Sequence, residues 1–155
     1  DGVMAAVPIL VFFQTMILDM SGNSSTQSLG VTIRRLTDPE ITAADKRRAF
    51  ARETTISFFD GLILAAIAFG LTCVYMILAK NTAAWYALKV SGCISAAMAV
   101  SMTVSGIIGT AVPMLFKKIG IDPAAASGPL ITTMNDLLSA VTYYGFAALF
   151  LIALA

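Results

Sequence analysis

The sequence contains no histidine, two cysteines and one tryptophan, and only 12% of its 155 residues are charged. With no imidazole and with Cys73 and Cys93 far apart, the soft, nitrogen-rich ligand set of a zinc or copper site is missing. Both cysteines sit in apolar runs and read as inert thiols packed between helices. The scarcity of charge is more telling, because a soluble domain of this size carries about 25% charged residues. The longest polar stretch, residues 34–53, is too short to enclose a core of its own, so no soluble domain is expected. The chain opens on Asp1 without a basic n-region, which excludes a signal peptide. It is expected to begin partway through a longer protein. A net charge of +1 gives no reason to expect a nucleic-acid partner.

What is present is apolar and arranged in blocks. The composition is 58% hydrophobic, and a helix needs about 20 mostly apolar residues to cross the hydrocarbon core of a bilayer. Residues 56–79, 90–116 and 124–155 qualify, and residues 2–20 make a fourth block that continues into a small, polar, helix-compatible run. These blocks predict an all-α membrane protein: four transmembrane helices over about 2–33, 54–79, 90–116 and 128–155, in one domain covering 1–155. Basic residues are unevenly placed. Arg34, Arg35, Lys46, Arg47, Arg48 and Arg52 fall in one link and Lys117 and Lys118 in another, against Lys80 and Lys89 in the third. By the positive-inside rule the first two links face the cytoplasm and both chain ends face outside, across a cell (inner or plasma) membrane. Thr37-Asp38-Pro39-Glu40 reads as a turn with Pro39 opening a short basic interfacial helix over 41–52. Trp85 and Tyr86 suit the headgroup level of the outer link. On the third helix Ser91, Ser95, Met98, Met102, Ser105 and Gly109 step by three or four, a face that another helix can approach closely.

Polar residues in these helices carry the functional signal, since an Asp at the centre of a spanning helix costs about 2.5–3.5 kcal/mol. On the last segment Pro129, Thr132, Thr133, Asp136, Ser139 and Tyr143 follow helical spacing, with Asn135 one position away. Asp136 has no basic residue near it in sequence. On the first, Asp19, Asn23, Thr26, Gln27, Gly30 and Arg34 form a similar stripe, and Gly22 and Gly30 allow close approach or a local break. Two polar half-helices entering from one side suit a pore or binding site near the midplane. Asp60, near the cytoplasmic end of the second helix, reads more simply as satisfied by a salt bridge or by snorkelling.

One carboxylate with amide, hydroxyl and carbonyl oxygens fits a hydrated divalent cation. Mg²⁺ keeps several of its waters and is usually touched through one or two carboxylates. Asp136 would supply the charge; Asn23, Thr132 and backbone carbonyls near 127–129 would supply the collar. One chain has a single deep carboxylate on this face, and a symmetry-related copy would bring two together, with the cation offsetting their repulsion.

The run Ser21-Gly22-Asn23-Ser24-Ser25-Thr26-Gln27-Ser28, followed by Arg34-Arg35-Leu36, resembles the glycine–asparagine–threonine–glutamine signature of the MgtE-type magnesium transporters. Gly120-Ile121-Asp122-Pro123 through Gly128-Pro129-Leu130-Ile131-Thr132-Thr133, with Asp136 three residues on, resembles that family's last-helix signature still more closely. Pro113 before Lys117-Lys118, and Arg52-Glu53 opening the next helix, also match. The resemblance covers essentially the whole chain. It implies a homodimeric Mg²⁺ channel in the lipid bilayer, with five helices per subunit and the pore built from the helices that are first and last here. It further implies Asp136 as the pore carboxylate for hydrated Mg²⁺, with Asn23, Gly128 and Thr132 as pore neighbours. Asp122 would lie at the cytoplasmic mouth, where a regulatory Mg²⁺ can bind. Gln27, Thr26, Asn135 and Thr133 are further pore-lining candidates, and other divalent cations are possible cargo. Ser21 and Ser25 stand where the family usually has glycine, and the family's first helix and soluble sensing domains have no counterpart in this sequence.

Other readings fare worse. Two intramembrane aspartates would suit an aspartyl protease, but Phe58-Phe59 precede Asp60 and Met134-Asn135 precede Asp136, so the Tyr-Asp and Gly-x-Gly-Asp signatures fail and no enzyme is expected. An ion-coupled cation exchanger is the stronger rival, although no internal repeat is visible. A membrane anchor that only packs leaves both polar stripes unexplained.

Overall fold

The computed structural model describes residues 2–126 and 128–154, with side chains over 8–124 and 128–150. The described residues form four long helices and one short 3-10 turn: α1 (Gly2–Leu36), α2 (Ala43–Leu78), α3 (Ala84–Lys118), the 3-10 turn Pro123–Ala126, and α4 (Gly128–Leu154). No strand occurs among them. The fold is all-helical, as the blocks predict.

Several helices are longer than the apolar blocks. The interfacial helix expected over 41–52 is not a separate element; it runs without interruption into the second apolar block as the 36-residue α2. Ala, Lys, Arg and Glu are strong helix formers, and nothing between Ala43 and Phe59 breaks the backbone. Nor does Pro39 open this helix. Residues 37–40 form the turn, and the N-cap is Thr42, whose side chain accepts from Asp45 N while the Asp45 carboxylate accepts from Thr42 N. This reciprocal capping box satisfies two of the donors that a helix start leaves free. The hydrogen bonds from Thr42, with Arg48 nearby, hold the Asp45 carboxyl below its usual range. Its contribution is therefore present above the unfolded carboxylate pKa of about 3.9 and is lost as pH falls through the lower folded value. Thr42→Ala, or acidification below that window, is expected to fray the first turn of α2, read as faster amide exchange at Ala43–Lys46.

α1 also outlasts its block, ending at Leu36, where the Lys117 ammonium of α3 donates to the Leu36 carbonyl at 3.1 Å. That contact satisfies one of the carbonyls left over at a helix end. α1 runs unbroken through Gly22 and Gly30, so the local break those glycines permit is not used.

α3 is the central helix. It packs against α2, α1 and α4, whereas α1 and α2 barely meet. The small-residue face read from the sequence lies in these contacts: Ser91, Ser95, Met98, Met102, Ser105 and Gly109 are all buried. A Cβ at Gly109 would land on the backbone carbonyl of Ser25 in α1, and one at Gly106 would land on the Ser57 side chain of α2. Hence the two glycines set how closely α1 and α2 approach α3. A core of Ile17, Met76, Val90, Ile94, Ala97, Met98, Met102 and Tyr143 fills the other half. There the buried Tyr143 hydroxyl of α4 donates to the Leu10 carbonyl of α1. Tyr143→Phe deletes one buried hydrogen bond and should lower stability by about 1 kcal/mol, measured by reversible unfolding in mixed micelles.

The outer surface is apolar on a large scale. Phe59, Ile63, Ile67, Leu71, Leu78, Leu137, Val141 and Leu149 are all more than half exposed. Helices α2 and α3 are long and apolar enough to cross a membrane, with mean hydropathy 2.4 and 1.7 over their most apolar windows. Cys73 and Cys93 are free and half-buried.

Candidate functional site

α1 and α4 lie side by side on α3, and their outward edges leave a cleft of about 450 Å³. Gln14, Thr15, Leu18, Asp19, Gly22, Asn23 and Thr26 line it from α1, and Thr132 and Asp136 from α4. The contributors on α1 recur at three and four residues, which brings them onto one face. Asp136, Asn23, Thr26 and Thr132 therefore share one site, although 106 to 113 positions separate the α1 pair from the α4 pair in the chain. The Asp136 carboxylate is exposed to the cleft and accepts no hydrogen bond from any described residue.

The cleft also holds a second carboxylate, Asp19, one helical turn from Asn23. The expectation of a single carboxylate on this face is corrected accordingly. Its sequence signal was its place on the same stripe as Asn23. At the far end the Tyr144 hydroxyl of α4 donates to Gln14 Oε1 at 2.5 Å, bridging the cleft's two helices. Gln14 was visible in the sequence only as a polar exception in an apolar block, and nothing local linked it to Tyr144, which lies 130 residues away.

The polar stripe of α4 divides into two. Ile131, Asn135, Ser139 and Tyr143, four residues apart, are buried and face the bundle. There the hydroxyls of Ser21 and Ser139 lie 2.8 Å apart, and Ser105 of α3 is 3.5 Å from Ser139. Asn135 belongs to this inner face. It is fully buried, its two amide atoms have no partner among the described residues, and it lies against Gly22. Thr133 points away from both faces, its hydroxyl donating to the Pro129 carbonyl at 2.8 Å. Gln27 lines a different groove, between α1 and α2. Gly128 begins α4 outside the cleft lining. Asp122 is exposed on the link before the 3-10 turn, its carboxylate accepting from Ala124 N at 2.9 Å. Of the backbone carbonyls expected near 127–129, that of Ser127 lies outside the described residues.

Among the described residues no three His, Cys, Asp or Glu side chains converge on one point. Within one chain the cleft can therefore touch a cation through one or two carboxylates and several neutral oxygens. That set suits an ion that keeps most of its water.

A family model described as a divalent cation transporter, MgtE, matches residues 14–146, which takes in the cleft and all three links. The magnesium transporter MgtE of Bacillus subtilis is 34% identical over 146 residues, covering 94% of this chain. That of Enterococcus faecalis is 34% identical over 152 residues, and that of Thermus thermophilus 28% identical over 151, each covering 97% of this chain. The chain spans 30–31% of the length of these relatives. A match over most of the sequence, including both polar helices, shows that the chain belongs to the MgtE family of divalent cation transporters.

Proposed function

We propose that this chain is the permeation part of a Mg²⁺ channel, in which two copies face each other across a water-filled pore lined by α1 and α4. The observation that carries the reading is the exposed face of α1. Thr15, Asp19, Asn23, Thr26, Gln27, Gly30 and Arg34 all lie uncovered on it, beside the exposed Asp136. In hydrocarbon each charged group would cost several kcal/mol, so this face requires water or a polar partner. The same face on a second copy meets that requirement, since a two-fold axis places like residues together and opens a wet channel between them. All four helices then span the bilayer, with the basic links at the cytoplasmic side and the extra turns of α1 and α2 extending beyond the hydrocarbon.

Two Asp136 carboxylates across the axis would hold a hydrated Mg²⁺ through its waters. Asn23, Thr26 and Thr132 would accept from and donate to the same shell, and Asp19 would add charge on the outer side. A shell held by outer contacts can be released again, as conduction requires. Asp122, on the cytoplasmic link, is the place for a regulatory ion. The relatives named above are magnesium transporters, which favours Mg²⁺ as the cargo.

The test is Mg²⁺ flux into liposomes carrying the intact protein, followed with an entrapped Mg²⁺ dye. Flux driven by the Mg²⁺ gradient alone supports a channel. A strict need for a Na⁺ or H⁺ gradient would replace it with an exchanger.

A further inference from the structure

A second polar groove lies on the other side of α1. Because α1 and α2 barely touch, an opening of about 390 Å³ remains between them, lined by Met20, Asn23, Ser24, Gln27, Asp60 and Met102 among others. It continues into a narrower part of about 200 Å³ that shares Ser24, Gln27 and Asp60 and adds Arg52, Glu53 and Ser57. At its floor the Ser24 hydroxyl donates to Ser57 Oγ at 3.4 Å.

Two carboxylates face this groove, and neither has a partner among the described residues. Asp60 forms no ion pair among the described residues, so the salt bridge that would have explained it is not there. Glu53 is the sharper anomaly. It is 5% exposed, lines the groove, and has no hydrogen-bond or ion-pair partner among the described residues, Arg52 included. The residue is buried while its carboxylate oxygens stay open to the groove, and a charge so enclosed without a partner is costly enough that proteins pair it, coordinate it or protonate it.

Glu53, Ser57 and Asp60 stand at i, i+4 and i+7 on one face of α2, about 10 Å from end to end along the axis. That spacing is too wide for both carboxylates to bind one bare ion. It fits an ion that keeps its waters: with Mg–O near 2.0–2.1 Å and a water-to-carboxylate bond of about 2.7 Å, each carboxylate oxygen sits roughly 4–5 Å from the metal. At about 30 Å³ per water, a six-water shell occupies roughly 180 Å³, which fits the part of about 200 Å³ that Glu53, Asp60 and Gln27 all line and that opens into the wider one.

We infer that the α1–α2 groove is a second divalent-cation site, in which Glu53 and Asp60 hold the hydrated ion and Gln27 contacts its shell from α1. That the ion is Mg²⁺ rests on the function proposed above; the site itself rests on the groove and its two unpaired carboxylates. Asn23 belongs to the walls of both the groove and the Asp136 cleft, so the two sites adjoin across a single side chain.

The experiment uses the intact protein in nanodiscs, with its cysteines replaced by serine and a nitroxide attached after Ile63→Cys, a groove position that is 59% exposed. Mn²⁺ is the probe, and broadening of the nitroxide spectrum reports local occupancy. In an Asp136→Asn background, broadening should persist and be reversed by Mg²⁺. Asp60→Asn, at an exposed position where folding is not at stake, should weaken the apparent Mn²⁺ affinity several-fold, and Asp60→Asn with Glu53→Gln at least tenfold. Absence of broadening in the Asp136→Asn background, or broadening indifferent to Asp60→Asn, overturns the groove site. Mg²⁺ flux by the same Asp136→Asn protein reports separately on the pore, so the two readings fail independently.

Discussion

Asp136→Asn is expected to reduce Mg²⁺ flux at least tenfold while leaving the protein folded. The substitution preserves the shape of the side chain and removes its charge. In a two-fold pore it removes two charges at once from the point where the hydrated ion is held, leaving only neutral oxygens against a divalent cation. A tenfold change corresponds to about 1.4 kcal/mol, and charge-assisted hydrogen bonds are roughly twice as strong as neutral ones, so the estimate is a lower bound. Stability should be unaffected, because the Asp136 carboxylate is exposed to the cleft and has no partner among the described residues. The variant should therefore elute and melt like the parent, which separates lost permeation from lost folding. Asp19→Asn should give a smaller, several-fold loss, since it leaves the Asp136 pair in place. Unchanged flux in Asp136→Asn would remove the central role assigned to this residue.

Gly109→Ala is expected to be among the most destabilising single-methyl changes in the chain. The added Cβ would meet the backbone carbonyl of Ser25, and neither α1 nor α3 can yield locally, because each is a continuous helix packed along its length. Overpacking of this kind costs about 1–3 kcal/mol. Gly106→Ala should follow closely, since it strikes the Ser57 side chain near its root. Gly30→Ala is the control: outside its own stretch of helix backbone, no atom of the described residues lies within 4 Å of the new Cβ, and replacing a mid-helix glycine by alanine favours the helix by up to about 1 kcal/mol. Thermal unfolding in detergent should rank the three as Gly109→Ala, then Gly106→Ala, then Gly30→Ala at or above the parent. If Gly109→Ala melts with the parent, the close α1–α3 crossing is wrong. Flux in a surviving Gly109→Ala protein should also fall, because moving α1 displaces Asn23 from Asp136.

The sequence alone was enough to place the helices and to pick out the face of α3. Apolar blocks separated by basic links could only be helices, and serine, methionine and glycine at three-and-four spacing could only be a close-packing face. Element ends were less legible. The start of α2 depended on whether Pro39 or Thr42 caps it, and that was decided by the reciprocal bonds between Thr42 and Asp45. The length of α1 depended on Lys117, more than eighty residues away, reaching the Leu36 carbonyl.

The candidate site divides in the same way. That Asp136 sits on a polar stripe of an otherwise apolar helix follows from spacing, and so does the matching stripe through Asp19 and Asn23, because periodicity is local. Which side of each stripe meets a neighbour is a tertiary matter. Asn135 and Asp136 are adjacent in sequence, yet the rotation of α4 against α1 and α3 buries the first and opens the second to the cleft. The same rotation turns Ser139 and Tyr143 inward. The groove holding Glu53 and Asp60 was also beyond the sequence, because it exists only where α1 and α2, both packed on α3, fail to touch each other. Residue spacing determines which side chains share a helix face; only the packing of the helices decides what each face meets.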